Sequence, residues 1–202
     1  MDLTFIVTTL GVIAVVLLIV LIWAVATYNG MVKLRNLVQE AWRQIDVELH
    51  RRHDLVPNLV ETVRGYAGHE REVFEAVAQA RAAAATRGAG PAQQAQSEQA
   101  LSSALSRLFA VAEAYPELRA SQSFADLQAE LTNTEDRIAA GRRFYNANVR
   151  ELNTKVETFP ANLIANMFTF ERAEYFETED LTVRQAPSID FGQGFGTPPT
   201  AG

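Results

Sequence analysis

The sequence lacks several of the residues on which common protein chemistries depend. None of its 202 residues is cysteine, so the chain has no disulfide, no thiolate metal ligand and no cysteine nucleophile. Cations are also in the minority, with 18 lysine and arginine residues against 24 aspartate and glutamate residues, a net charge of -6. Because affinity for nucleic acid comes mainly from cations that neutralise phosphates, this balance argues against nucleic-acid binding.

Charge of either sign is missing from one long segment near the N-terminus. No charged residue occurs from Leu3 to Thr27, and 20 of these 25 positions are apolar. As a helix with a rise of about 1.5 Å per residue, the segment would be roughly 37 Å long, which is enough to cross a hydrocarbon core of about 30 Å. We therefore predict a transmembrane anchor over residues 1–27, with residues 3–27 in contact with the lipid bilayer.

A cleaved signal peptide is the competing interpretation of this segment. Ala24-Val25-Ala26 has the small-x-small pattern of a cleavage site, but the apolar run is longer than the usual h-region of about 7–15 residues. The only charge before the run is Asp2, whereas Lys33, Arg35 and Arg43 follow it. We favour a retained single-pass anchor, for which the positive-inside rule predicts an N-terminus outside and a C-terminal domain in the cytoplasm.

The rest of the chain shows helical periodicity. Apolar residues three and four positions apart predict that the membrane helix continues through residues 31–49. Asp54 is a predicted N-cap with Pro57 in the first turn, so a second helix is expected to begin there. This helix is expected to end at Gly88-Ala89-Gly90-Pro91, and a third helix is expected to end before Pro116.

The fourth window has the most regular pattern, because large apolar residues recur there every seven positions, which predicts coiled-coil packing. We therefore predict an all-α protein, in which a transmembrane helix continues into an antiparallel bundle of about four long helices over residues 28–180. Residues 181–202 are expected to form a short, irregular, acidic tail that contains glycine and proline and is partly disordered. The heptad residues are Phe124, Leu131, Ile138, Tyr145, Leu152 and Phe159.

Motifs for catalysis and metal binding are missing from the sequence. Neither a G-x-S-x-G elbow nor a phosphate-binding G-x-x-x-x-G-K-[ST] loop occurs. His50 and His53 share a helical face with Asp54, but Arg51 and Arg52 lie between them and disfavour a divalent ion. We therefore predict no catalytic residue, no metal site and no cofactor.

A cluster of polar and aromatic residues surrounds the predicted corner between the first two helices. It is interpreted as a helix hairpin that Asp–Arg pairs hold, Asp54 caps and Trp42 seals, since the ends of helices need polar partners. The alternative interpretation is a site that binds a partner or senses a ligand. The members of the cluster are Trp42, Ile45, Asp46, Arg51, Arg52, Asp54, Asn58 and Glu61.

Several motifs of the sequence resemble those of the bacterial LemA family. The resemblance covers the chain from the apolar segment to about residue 191. It implies a membrane anchor and a bundle of long helices in the bacterial inner membrane, without an established catalytic site, and an association with membrane-bound metalloproteases or with magnetosome formation. The motifs include Tyr28-Asn29, Ala41-Trp42, Arg51-Arg52-His53-Asp54-Leu55-Val56-Pro57-Asn58, Phe159-Pro160 and Pro187-Ser188-Ile189-Asp190-Phe191.

These observations predict a non-enzymatic, membrane-tethered helical scaffold or adaptor. Its expected partners are the bilayer, a further copy of the chain that the heptads would bind, and a membrane protease or another membrane protein. A receptor-like sensor that relays a ligand or stress signal through the long first helix is the alternative function. A hydrolase that uses His69 or Glu70 is a third hypothesis, although Val73 stands where a zinc-binding helix would need its second histidine.

Overall fold

Six helices make up the part of the chain that the structure describes. The computed structural model describes residues 3–86, 88 and 90–177, and no strand occurs among them. The all-α prediction is therefore confirmed, whereas the predicted tail, residues 181–202, lies outside the described residues. In chain order the helices are α1 (Leu3–Arg64), α2 (Arg71–Ala84), α3 (Pro91–Glu113), α4 (Pro116–Arg119), α5 (Gln122–Glu157) and α6 (Ala161–Met167).

The N-terminal part of α1 is long and apolar enough to cross a membrane. An 18-residue window of this helix has a mean hydropathy of 3.2, and none of the window is buried within the protein. Two of its hydroxyl groups have partners in the preceding turn, since Thr8 donates to the carbonyl oxygen of Thr4 and Thr9 donates to that of Phe5. Such local hydrogen bonds suit a helix surrounded by lipid, where no water is available as a partner.

α1 continues without a break from the apolar segment into the bundle. It is 62 residues long, and Pro57 lies in its interior, so the predicted N-cap at Asp54 and the helix start there are wrong. Pro57 has no N–H to donate to the carbonyl oxygen of His53, four residues earlier. Arg81 of α2 supplies the missing donor, since its Nε donates to that oxygen at 2.6 Å. A side chain from a neighbouring helix therefore stabilises α1 at the proline.

α5 packs antiparallel to the part of α1 that follows the apolar segment. The two helices approach closely at Gly141, where a Cβ would lie 3.0 Å from Cγ1 of Ile45. Phe159, the last residue of the heptad pattern, follows the end of α5 and is 74% exposed. The other five heptad residues are buried within the chain, so they are not available to a second copy. They are Phe124, Leu131, Ile138, Tyr145 and Leu152.

α2 and α3 form a hairpin that packs against the C-terminal end of α1 and the start of α5. The predicted break between these two helices is confirmed, because α2 ends at Ala84 and α3 begins at Pro91. Gly88 has a φ of +91°, which lies in the left-handed region that favours glycine. The hairpin, α1 and α5 share one apolar core, which includes Val56, Leu59, Val63, Phe74, Val77, Leu101, Leu105, Leu108, Phe124 and Leu131.

Residues 170–177, here called the C-terminal strap, run back along α5 after α6. Two asparagines of α5, seven residues apart, bind the backbone of the strap. Asn153 accepts from the N–H of Ala173 at 2.9 Å and donates to its carbonyl oxygen at 3.0 Å. Asn146 makes the same pair of bonds with Phe176. The side-chain amides thus satisfy strap backbone groups that no helix partner satisfies.

Candidate functional site

A buried ionic network joins α1, α3 and α5. At its centre lies Arg52, whose side chain is only 2% exposed. Its Nη1 donates to Oε2 of Glu98 on α3 at 2.9 Å, and its Nη2 donates to Oγ of Ser102 at 2.8 Å. The same Nη2 lies 2.7 Å from Oε1 of Glu135 on α5. The planar guanidinium therefore ties three helices together through charge-assisted hydrogen bonds.

The carboxylate of Glu98 is buried and has three side-chain partners. Besides Arg52, Gln94 donates to its Oε1 at 2.9 Å, and Nε2 of His53 lies 2.8 Å from the same oxygen. The second amide hydrogen bond of Gln94 reaches the carbonyl oxygen of Ala84 at the end of α2. A buried charge is tolerated only when it is paired and hydrogen-bonded, and Glu98 meets both conditions.

Glu135 lies at the edge of the network, where its side chain is 41% exposed. Burial raises the pKa of Glu135 above its ordinary value, and the charges of Glu98 and Asp136 raise it further, while the Arg52 guanidinium opposes the increase. Despite the short ion pair with Arg52, the loss of hydration therefore has the larger effect on this carboxyl.

A groove of about 340 Å³ opens beside the network. Its polar lining consists of hydroxyl, amide and charged groups, among them Ser106, Gln128 and Thr132 beside Arg52 and Glu135. The Nε atom of Arg52 is buried and has no hydrogen-bond partner within the described residues. The groove therefore has the chemistry to bind a small polar group by hydrogen bonds.

Metal binding has no geometric basis in the part of the chain that the structure describes. Within residues 3–86, 88 and 90–177, no group of three or more histidine, cysteine, aspartate or glutamate side chains is arranged to hold a metal ion. His50 contacts Asp46 one turn earlier, with its Nδ1 2.8 Å from the Asp46 carbonyl oxygen. His69 lies exposed in the turn between α1 and α2.

The residues of the predicted corner lie along one continuous helix. The prediction of a helix corner held by Asp–Arg pairs is therefore wrong, because α1 extends to Arg64. Arg51 forms an ion pair with Glu130 of α5, and Arg52 pairs with glutamates of α3 and α5. Asp46, Asp54, Asn58 and Glu61 are exposed. A role of these residues in binding a partner stays a prediction.

Trp42 packs against the C-terminal strap, so it does not seal a helix corner. Its ring centroid lies 5.5 Å from that of Tyr145 on α5 and 5.4 Å from that of Phe176 in the strap. The hydroxyl of Tyr145 donates to the carbonyl oxygen of Glu174 at 2.8 Å. Burial raises the pKa of Tyr145 to about 12, and the Glu174 charge contributes to this increase. Trp42 thus helps to fix the strap to the bundle.

Sequence reasoning identified Arg52 but missed its partners Glu98, Ser102 and Glu135. One signal for Glu98 was available. This residue lies three positions after Ala95 and three positions before Leu101, on the apolar face of α3. A carboxylate on such a face requires a buried partner. Glu135 offered no comparable signal, because it does not belong to the apolar heptad of α5.

Comparison with known families gives one match that covers most of the chain. The model of the LemA family matches residues 41–191, which include the whole ionic network and all of α2 to α6. The match begins after the apolar segment, so the segment itself is not part of it.

Curated relatives include magnetosome proteins. Magnetosome protein MamQ 2 of Paramagnetospirillum magneticum is 27% identical over 175 residues, a match that covers 74% of this chain and 64% of that protein. Magnetosome protein MamQ of Magnetospirillum gryphiswaldense is 25% identical over 174 residues, and this match covers 74% of this chain and 64% of that protein. Protein LemA of Metamycoplasma hominis is 24% identical over 153 residues, and this match covers 76% of this chain and 70% of that protein. The chain thus spans less than two thirds of the length of the magnetosome relatives.

Proposed function

The chain belongs to the LemA family, and from this premise we propose that it acts as a non-enzymatic scaffold or adaptor at the membrane. In this proposal the apolar part of α1 is a retained, single-pass anchor in the bacterial inner membrane. The bundle lies on the cytoplasmic side and presents its surface to other proteins. The names of the relatives, LemA and magnetosome protein MamQ, support the proposal because neither denotes an enzyme.

The observation that carries the proposal is the continuity of α1. One 62-residue helix includes both the apolar segment and one wall of the bundle. With a rise of about 1.5 Å per residue, its length is roughly 93 Å. Arg81 stabilises this helix where Pro57 would weaken it. A continuous helix holds the bundle in a defined orientation relative to the bilayer, as an assembly platform requires.

The packing of α5 limits how copies of the chain can associate. Its heptad residues from Phe124 to Leu152 are buried against other helices of the same chain. A homo-oligomer would therefore have to use other surfaces of the bundle or the membrane segment. We propose that the main partner is a different membrane protein, such as a membrane protease.

A receptor-like sensor is the second candidate function. The polar groove of about 340 Å³ beside Arg52 favours it, because a group bound there would contact α1, α3 and α5 together. Glu135, whose pKa burial raises, lines this groove together with Arg52. A shift of Arg52 would act directly on the helix that continues into the membrane segment.

Crosslinking in cells followed by mass spectrometry tests the scaffold proposal. The full-length protein is compared with a variant in which seven glycines follow Ala26, so that α1 is flexible between the membrane and the bundle. The matched control has seven alanines at the same point. They extend the helix by two turns and leave the bundle rotated by only about 20°.

The scaffold proposal predicts that the original chain forms crosslinks to defined partners. The variant with seven alanines should keep most of these crosslinks, and the variant with seven glycines should lose most of them. Membrane fractionation checks that all three proteins stay anchored. An original chain that crosslinks to no other protein would contradict the scaffold proposal. Crosslinks that are identical with glycine and alanine would contradict the role of a rigid α1.

A further inference from the structure

Four large apolar side chains lie exposed around α6. Phe159 is 74% exposed, Leu163 56%, Met167 73% and Phe168 51%. Among the described residues outside the apolar segment, only three other large apolar residues are exposed, and they are far apart in the chain: Val47, Tyr66 and Phe144. A concentration of exposed apolar residues of this kind marks a surface that meets another apolar phase.

These residues lie at the level where α1 leaves its apolar segment. The ring centroid of Phe168 is 4.7 Å from that of Tyr28, the residue that follows the predicted anchor of residues 3–27. Phe159 lines a groove of about 570 Å³ together with Trp23 and Thr27, which lie one helical turn apart at the C-terminal end of that anchor. If α1 crosses a bilayer, the groove and the side chains around it are therefore level with the lipid–water interface.

The opposite face of α6 is held by the bundle. Ile164 and Ala165 are buried, and Ala165 belongs to a small core with Met31 of α1 and Phe170 of the strap. Leu163 and Met167, on the exposed face, are thus held in place by a helix that packs against the bundle. Such a division into a buried face and an exposed apolar face suits a segment that lies in the plane of a membrane interface.

Cationic and aromatic groups surround the exposed residues. The Nζ of Lys155 is 2.9 Å from the point that a Cβ on Gly30 would occupy, three residues after Thr27. Arg150 lines the same groove, and the Arg35 guanidinium lies 5.2 Å from the centre of the Phe170 ring. Aromatic rings and cations in this position match the headgroup region of a bilayer.

We propose that residues 159–168 insert into the interface of the bilayer that α1 crosses, as a second membrane contact. This inference rests on the proposed anchoring by α1. The occupant of the apolar surface is lipid, because the surface is continuous with Trp23 and Thr27 of the membrane segment. The bundle is then fixed to the membrane at two points and cannot swing about the end of the anchor.

Depth-dependent fluorescence quenching tests this contact. The chain contains no cysteine, so one introduced cysteine carries the only label. Full-length Met167→Cys and Leu163→Cys proteins are labelled with an environment-sensitive dye and reconstituted in phosphatidylcholine vesicles that contain lipid with a nitroxide either near its headgroup or on its acyl chain. Val20→Cys, within the apolar segment, is the positive control. Val47→Cys is the matched exposed control, about 30 Å further along α1 than Thr27.

We expect quenching at Met167 and Leu163 to be several-fold greater than at Val47. Quenching at Val20 without quenching at the α6 positions would overturn the second contact and leave the anchor intact. Lack of quenching at Val20 would instead overturn the anchor. The measurement is repeated at a tenfold higher ratio of lipid to protein and the same fraction of nitroxide lipid. Unchanged quenching at Met167 and Leu163 supports lipid as the occupant, whereas quenching that increases on dilution would show that a second copy had covered the surface and would contradict the proposal.

Discussion

Arg52 and its neighbours show how the helical period separates a buried charge from exposed ones. Arg51 and Asp54 differ from Arg52 by one and two positions and are both exposed, while Arg52 is directed toward α3 and α5. The burial of this guanidinium is compensated by two carboxylates and a hydroxyl. Removal of the Arg52 guanidinium would leave the buried carboxylate of Glu98 without its cation.

Arg52→Ala is therefore expected to lower the free energy of unfolding by about 3–5 kcal/mol, because it leaves the buried Glu98 without its cation. Asp54→Ala is the matched control on the exposed face of the same helix, and a change within about 0.5 kcal/mol is expected there. Chemical denaturation of the full chain in detergent, followed by circular dichroism, measures both. Equal losses of stability for the two variants would contradict the importance of the network.

A second expectation at this scale concerns the pH dependence of stability. Because burial raises the pKa of Glu135 above 4.5, the folded protein holds this proton more tightly than the unfolded chain. The resulting stabilisation is complete below the ordinary pKa and is lost as the pH rises through the raised value. The amide of the Glu135→Gln variant has no proton that is lost in this range, so the variant keeps this stabilisation. Its free energy of unfolding relative to that of the original protein should therefore increase with pH.

Melting temperatures at a series of pH values and constant ionic strength measure the effect of Glu135→Gln. Both proteins should be similarly stable at low pH, where the carboxyl is protonated and resembles the amide. A stability difference that stays constant across the series would show that the ion pair with Arg52 offsets the loss of hydration completely.

At the scale of helices, the proline in α1 shows why element boundaries depend on distant residues. Asp54 and Pro57 have the spacing of a helix start, and sequence reasoning placed one there. The helix continues because Arg81, 28 residues after His53, donates to the carbonyl oxygen that Pro57 leaves without a partner. Sequence windows around Pro57 do not contain this donor.

A double-mutant cycle on Arg81 and Pro57 tests this explanation. Arg81→Ala alone should destabilise the protein by about 1–3 kcal/mol, since the carbonyl oxygen of His53 loses its donor. In a Pro57→Ala background the new N–H can donate to that oxygen, so Arg81→Ala should cost less. We expect a coupling energy of about 1 kcal/mol from denaturation of the four proteins. Additive effects would contradict the proposed compensation.

Other boundaries could be predicted because their signals are local. The break between α2 and α3 depends on glycines and a proline that lie close together in the sequence, and it falls between Ala84 and Pro91 as expected. The heptads of α5 correctly identified its buried face up to Leu152. The heptad pattern does not hold for Phe159, which is exposed, because the helix ends at Glu157 and the chain turns toward the membrane segment.

At the scale of the whole molecule, α1 and α5 determine how the bundle meets the membrane. Their antiparallel packing brings the end of α5 back to the point where α1 leaves its apolar segment, since Trp23, Thr27 and Phe159 line one groove. This return places α6 beside Tyr28. The proposed second membrane contact is therefore a consequence of the bundle topology.

The sequence by itself determined the apolar segment, the helical class and most of the buried faces, because these depend on composition and on periodicity within a single helix. Only the tertiary structure decided that α1 passes through Pro57, that Arg52 is buried with Glu98 and Glu135, and that Phe159 is exposed beside Trp23. The physical reason is that ion pairs, substitute hydrogen bonds and shared surfaces join residues far apart in the chain, and local periodicity contains no information about such partners.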